Sequence, residues 1–207
     1  MTQDGLRGLP SVWWKPSLGR DAPTNAALMQ RLAATDSVID ISGFMASAGE
    51  ALRRSASRWL VSFDLSLERL LVPSQAADFT QAALLEALCS CGRPPLEMVA
   101  IRSSGVWRDD VIDAALATLL EAKEEGLVNL IAIECVRNPL ATVANWQFHD
   151  AFDLLIVGAD LDATSLITLA ERRHTPVALR GLRLPGRFGI MGVSTAEEVD
   201  AILAGSS

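Results

Sequence analysis

The chain contains no tyrosine, only two histidines and three cysteines in 207 residues. Cys89, Cys91 and Cys135 are odd in number, and their spacing fits neither a zinc site nor a disulfide framework. That usage predicts a reducing compartment. No run of about 18 apolar residues occurs, so the sequence offers no transmembrane helix. The segment from Met1 to Pro10 lacks the apolar core of a signal peptide, and the expected location is cytoplasmic. Eighteen Lys and Arg stand against 25 Asp and Glu, for a net charge of −7 and a pI of about 4.8. No stretch of basic residues forms a patch that would neutralise phosphates, which argues against a nucleic-acid partner; no membrane association is expected either.

What the chain does have is apolar content. Half of its residues are hydrophobic and the mean hydropathy is +0.27, enough for one core in one domain. Short apolar runs alternate with stretches of helical spacing. Strands are predicted over 37–42, 59–63, 98–101, 130–133, 154–157, 176–179 and 189–193, with an eighth near Leu9 to Trp14. Helices are predicted over 26–34, 49–57, 79–89, 111–124, 140–147, 165–172 and 196–203. The clearest is 111–124, with Val111, Ala115, Leu119 and Ala122 on one side and Gly126 as its stop. Pro94-Pro95 reads as a turn. Strands without internal alternation are expected where both faces are covered. This pattern fits a closed barrel and an open doubly wound sheet equally well.

A family resemblance separates the two. Leu120-Glu-Ala-Lys-Glu-Glu-Gly-Leu-Val-Asn-Leu-Ile-Ala-Ile133 resembles the helix end and following strand of the aldo-keto reductases. Phe152-Asp-Leu-Leu-Ile-Val-Gly-Ala-Asp-Leu161 is similar to the family's next strand, and Pro176-Val-Ala-Leu-Arg-Gly-Leu182 to its seventh. Gly189-Ile-Met-Gly-Val-Ser194 with Glu197-Glu-Val resembles the eighth strand and closing helix. Ile39-Asp-Ile-Ser42 and Leu96-Glu-Met-Val-Ala-Ile101 resemble earlier strands. The match runs from about residue 25 to 204. It implies a compact α/β fold, a (β/α)8 TIM barrel with short loops, as a single domain over residues 1–207.

The resemblance also implies hydride transfer from NADPH to a carbonyl, with a Tyr protonating the alkoxide, tuned by a Lys and an Asp, and a His orienting the substrate. This sequence departs from that set. Phe44 and Met45 stand near the expected Tyr. Lys15 and Lys123, the only lysines, are read as remote from Ser62, Phe63 and Asp64, where the family's Lys would lie. Arg102 replaces the His, and Asp40 alone matches. Glu134 and Cys135 stand for the Ser-Asn pair that holds the nicotinamide carboxamide, Ile156 for the Gln, and Ala159 for the stacking Tyr. Ser194 is the one weak cofactor candidate, and Glu197 and Glu198 follow it where the family has a phosphate-gripping Arg. No cofactor is therefore expected; NADPH is implied by the resemblance alone.

Active sites of such barrels lie at the C-terminal strand ends. Here those ends carry Asp40, Asp64, Arg102, Glu134, Asp160, Arg180 and Arg183. Asp40 and Arg102 are the catalytic candidates. Glu134, Asp160, Arg180 and Arg183 are the ligand-binding candidates, the arginines being suited to a carboxylate or phosphate. The same charges also fit mutual ion pairs that cap the barrel. Arg180, Arg183 and Arg187 form the one basic cluster, read either as an anion site or as a solvated loop. His149 and His174 are placed away from the mouth, and Cys135 at it. Trp13 and Trp14 either line a pocket or plug the barrel, and Trp146 and Phe148 are candidates for a contact surface.

The expectation is a non-redox pseudoenzyme that binds a small molecule or a protein partner. The alternatives are a repurposed lyase, isomerase or cyclase, and an NAD(P)H oxidoreductase with another proton donor.

Overall fold

Each short apolar run becomes a strand of one ring. The computed structural model describes residues 6, 8–43, 45, 55, 57–92, 94–184 and 187–205. In it eight parallel strands close into a barrel in chain order. They are β1 Val12–Pro16, β2 Val38–Asp40, β3 Arg58–Phe63, β4 Leu96–Ser103, β5 Val128–Cys135, β6 Leu154–Gly158, β7 Val177–Arg180 and β8 Phe188–Val193. Pairing of Val12 with Gly189 through Pro16 with Val193 closes the ring. Among the described residues six helices flank it: α1 Ala22–Ala33, α2 Pro73–Cys91, α3 Asp109–Glu124, α4 Pro139–Trp146, α5 Thr164–Arg172 and α6 Ala196–Ala204. The helix expected over 49–57 lies mostly outside the described residues. No described helix is long and apolar enough to cross a membrane.

Local chemistry sets the helix ends. Asp21 and Asn138 accept from the Thr24 and Ala141 amides at 3.1 Å and cap α1 and α4. Pro73 and Pro139 stand in first turns, where a missing N–H costs nothing. Helix α2 therefore begins at Pro73, although large apolar spacing is visible only from Phe79. At the end of α3 the positive φ of Gly126 lets the Leu127 amide reach the Ala122 carbonyl at 2.9 Å, as its sequence position predicts.

Side-chain alternation divides the core in two. Trp13, Val38, Leu60, Met98, Ala100, Ala132, Ile156 and Ile190 fill the barrel. Trp14, Ile39, Val61, Val99, Ile131 and Leu155 face the helices. Trp13 stacks on Phe188 with ring centroids 4.9 Å apart, so this Trp is a plug; its neighbour Trp14 points outward. Trp146, read as a surface residue, is buried, with the Arg173 guanidinium over its ring. Phe148 is exposed.

Among its described residues the β7–β8 connection carries no helix. It leaves β7 at the mouth and must return to the opposite end, so it runs back over β8. A Cβ on Gly189 would stand 2.9 Å from the Leu182 carbonyl and 3.2 Å from Arg183 Cα; glycine is what lets the two backbones meet.

Candidate functional site

Two residues beyond each inward apolar side chain, the strands turn polar. Continuing the alternation inside the barrel places Lys15 above Trp13, Asp40 above Val38, Ser62 above Leu60, Arg102 above Ala100, Glu134 above Ala132 and Arg180 above Ala178. Gly158 and Gly192 complete this layer. All sit at the C-terminal strand ends, where barrel sites form.

These groups are joined. Arg180 spans the mouth: its Nη1 donates to Asp40 Oδ2 at 2.7 Å and its Nε to Glu134 Oε1 at 2.6 Å. Its Nη2 stands 3.4 Å from Ser62 Oγ. Asp40, with no solvent exposure, is also bound through Oδ1. That oxygen accepts from Lys15 Nζ and the Ser42 amide at 3.0 Å and from Ser42 Oγ at 2.6 Å. Lys15 Nζ donates as well to the Ser42 carbonyl at 2.8 Å, and Ser42 Oγ accepts from the Ser62 amide at 2.7 Å.

Burial pushes the Asp40 carboxyl up. The charges of Arg180 and Lys15 and the hydrogen bonds from Ser42 and Arg180 outweigh it and hold the group below the usual carboxylate range. Burial likewise works against the charge of Arg180, and Glu134 and Asp40 more than restore it. A carboxylate held this way, with both oxygens engaged, is a weak base.

Arg102 is placed differently. Its Nε lies 3.9 Å from Glu134 Oε2 and its Nη1 lies 3.7 Å from Asp64 Oδ2. Both are ion-pair distances and too long for hydrogen bonds. The side chain is 38% exposed, so among the described residues it is a half-open cation at the mouth. Glu134 Oε2 is buried with no hydrogen-bond partner.

The remaining candidates separate. Asp160 is exposed on the rim, its Oδ1 2.6 Å from the point where a Cβ on Gly158 would stand. Arg183 does not join the mouth. The returning connector carries it to a cavity of about 410 Å³ shared with Pro10, Ser11, Asp36 and Ser37, at the N-terminal strand ends. Arg187 pairs with Glu171 at 3.4 Å. The expected basic cluster is thus dispersed, because a connector without a helix must span the barrel. Cys135 faces the helix layer. Burial raises its thiol pKa, the Glu134 charge adds to this, and a Thr142 hydrogen bond only partly offsets them, so little thiolate is available as a nucleophile. His149 pairs with Asp113 at 3.2 Å. His174 lines a cavity of about 180 Å³ at the end opposite the mouth.

Lys15 adds to the sequence reading, which held both lysines remote from Ser62, Phe63 and Asp64 and gave neither a place beside Asp40. Lys123 is remote: its Nζ meets Asp153 Oδ2 at 2.6 Å, before β6. Lys15 instead reaches Asp40. The signal was the alternation itself, since β1 runs on to Pro16 and Lys15 follows Trp13 by one strand period. Ser42, in the turn after β2, was also missed; its polar side chain gave no period to follow.

Ser194 is occupied from within the chain. Its amide donates to Glu198 Oε2 at 2.6 Å, and its hydroxyl lies within 3.1 Å of both carboxylate oxygens. These hydrogen bonds lower the Glu198 pKa. Thr195 Oγ1 accepts from the Glu198 amide at 3.3 Å, completing the cap of α6.

No protein-family model matches the chain, and no curated protein matches it. Solved structures do. The aldo-keto reductase AKR11C1 from Bacillus halodurans, in its holo form, superposes with a TM-score of 0.69 at 15% identity, over 91% of this chain and 83% of that one. The aldose reductase from Schistosoma japonicum gives a TM-score of 0.69 at 13% identity, over 92% and 81%. At such identities what is shared is architecture: this chain has the (β/α)8 barrel fold of the aldo-keto reductases.

Proposed function

We propose that this chain is a non-redox barrel that binds a small carboxylate-bearing molecule at its mouth. One observation carries the reading. Arg180 is locked between Asp40 and Glu134, while Arg102 beside it makes no hydrogen bond among the described residues and is half-open. The first arginine braces the barrel. The second is free to offer its planar fork to a carboxylate.

The residues at the positions that the resemblance assigns to NADPH fit it poorly. Glu134 has no N–H to give a carboxamide oxygen, and its Oε1 is taken by Arg180. The Ser194 amide and hydroxyl, the donors nearest an incoming phosphate, are engaged by Glu198, and a phosphate there would meet that carboxylate. With no tyrosine in the chain, no phenol is present to protonate an alkoxide. Acid–base catalysis by Asp40, as in a lyase or isomerase, is disfavoured by its low pKa and engaged oxygens.

A second reading rests on Lys15. Its ammonium on Asp40 is a mouth donor other than a phenol, which an NAD(P)H oxidoreductase with an atypical acid would need.

The test is calorimetric titration of the full chain with propionate. Saturable binding is expected, weakened about ten- to a hundredfold in Arg102→Met, the worth of one charge-assisted contact. Binding that survives the substitution unchanged, or no binding to the wild type, contradicts the proposal.

A further inference from the structure

Granting that the mouth receives a carboxylate, on which this inference rests, one atom there still lacks a role. Glu134 is 5% exposed, and its Oε1 accepts from Arg180. Its Oε2 is buried and accepts no hydrogen bond among the described residues. A carboxylate oxygen withdrawn from water without a donor carries its desolvation cost uncompensated. The Arg102 Nε stands 3.9 Å from it, a distance at which the charges attract but no hydrogen bond forms. On its other side Arg102 faces Asp64, again at ion-pair range only. The strand ends thus present a cationic fork and a buried anionic acceptor that meet at ion-pair range and make no hydrogen bond among the described residues.

Within the ion-pair network of the mouth the charges balance: Lys15, Arg102 and Arg180 face Asp40, Asp64 and Glu134. A simple anion on Arg102 would upset that balance beside two carboxylates. A ligand with a positive donor next to its carboxylate would preserve it and would supply the missing donor. On the β8 side of this layer Gly192 is exposed, and a Cβ on it would meet no described atom within 4 Å.

We propose that the ligand is a small α-amino acid, its carboxylate on the Arg102 guanidinium and its ammonium on Glu134 Oε2. Its donor and acceptor sit on adjacent carbons, which suits two protein groups this close together. Because Oε2 is buried, this binding mode requires the half-open Arg102 side chain to shift as it takes the carboxylate.

The test compares L-alanine, lactate and propionate by calorimetric titration of the full chain. They share a three-carbon acid and differ in carrying an ammonium, a hydroxyl or a hydrogen beside the carboxylate. Alanine is expected to bind about tenfold or more tighter than propionate, with lactate between them. Glu134→Gln retains an acceptor for Arg180 Nε and is expected to abolish alanine's advantage over propionate. If that variant does not fold, the wild-type comparison decides alone. Propionate binding as tightly as alanine overturns this inference and leaves the carboxylate reading standing. Lactate equal to alanine overturns the role of the positive charge. Binding of none of the three overturns both.

Discussion

Arg180 is the residue on which the mouth depends. It reaches across from β7 to carboxylates on β2 and β5 that are both buried. Replacing it with Met would leave two charges without their partner. A loss of about 3–5 kcal/mol is expected in urea denaturation, the usual result of breaking a buried ion pair from one side; a change within about 0.5 kcal/mol would mean that the pairs are not formed in solution. Asp40 adds a pH dependence. Its folded pKa lies below the ordinary 3.8, so the unfolded chain binds the proton more readily. The stabilisation is present in full above the unfolded value and is lost as pH falls from there through the depressed folded value. Wild type and Asp40→Asn should therefore differ most near neutrality, and their stabilities should converge in acid. A gap that is constant across the acid limb would contradict this linkage.

At the scale of elements, the β7–β8 connector and the β4 loop show why short loops suffice. Gly189 is in direct contact with the connector, and Gly189→Ala should destabilise the barrel by about 1–3 kcal/mol, the range for forcing extra volume into a packed contact. Gly192→Ala, on the same strand with open space at its Cβ, should stay within about 0.5 kcal/mol. Equal melting temperatures for the two variants would refute the account of the connector. After β4, Asn145 on α4 accepts from the Trp107 amide at 2.8 Å and donates to Ser103 Oγ at 3.0 Å and the Gly105 carbonyl at 2.7 Å. Asn145→Ala should cost about 1–3 kcal/mol through the buried groups it leaves unpaired, read in the same denaturation assay.

The strands were legible in the sequence because both their faces are buried and a short apolar run has few other uses. The mouth layer was legible where a charged residue closes an apolar run, because it marks the strand end even when the end itself is misplaced. Asp40 was found within an expected strand, and Arg102, Glu134 and Arg180 were found just past expected ends that the strands in fact overrun by one or two residues; Lys15, just past the expected end at Trp14, was not. The position of Arg183 was not legible, because no local pattern shows that a connector without a helix doubles back along its strand. The pairing within the site was not legible either. Alternation tells which side chains face inward, and only the ring of strands brings β7 opposite β2 and β5.

For the whole molecule, the barrel supports a division between scaffold and chemistry, since a fold by itself does not carry a reaction. The architecture is that of the aldo-keto reductases. The paired charges at the mouth are instead spent on one another, Arg102 and one oxygen of Glu134 at ion-pair range only. Cofactor binding is therefore the decisive property. The purified chain titrated with NADPH and with NADH, followed by cofactor fluorescence and heat, is predicted to show no saturable binding up to millimolar concentrations. Saturable binding near micromolar would contradict it, and would place Lys15 on Asp40 at the head of a search for the proton donor of a reductase.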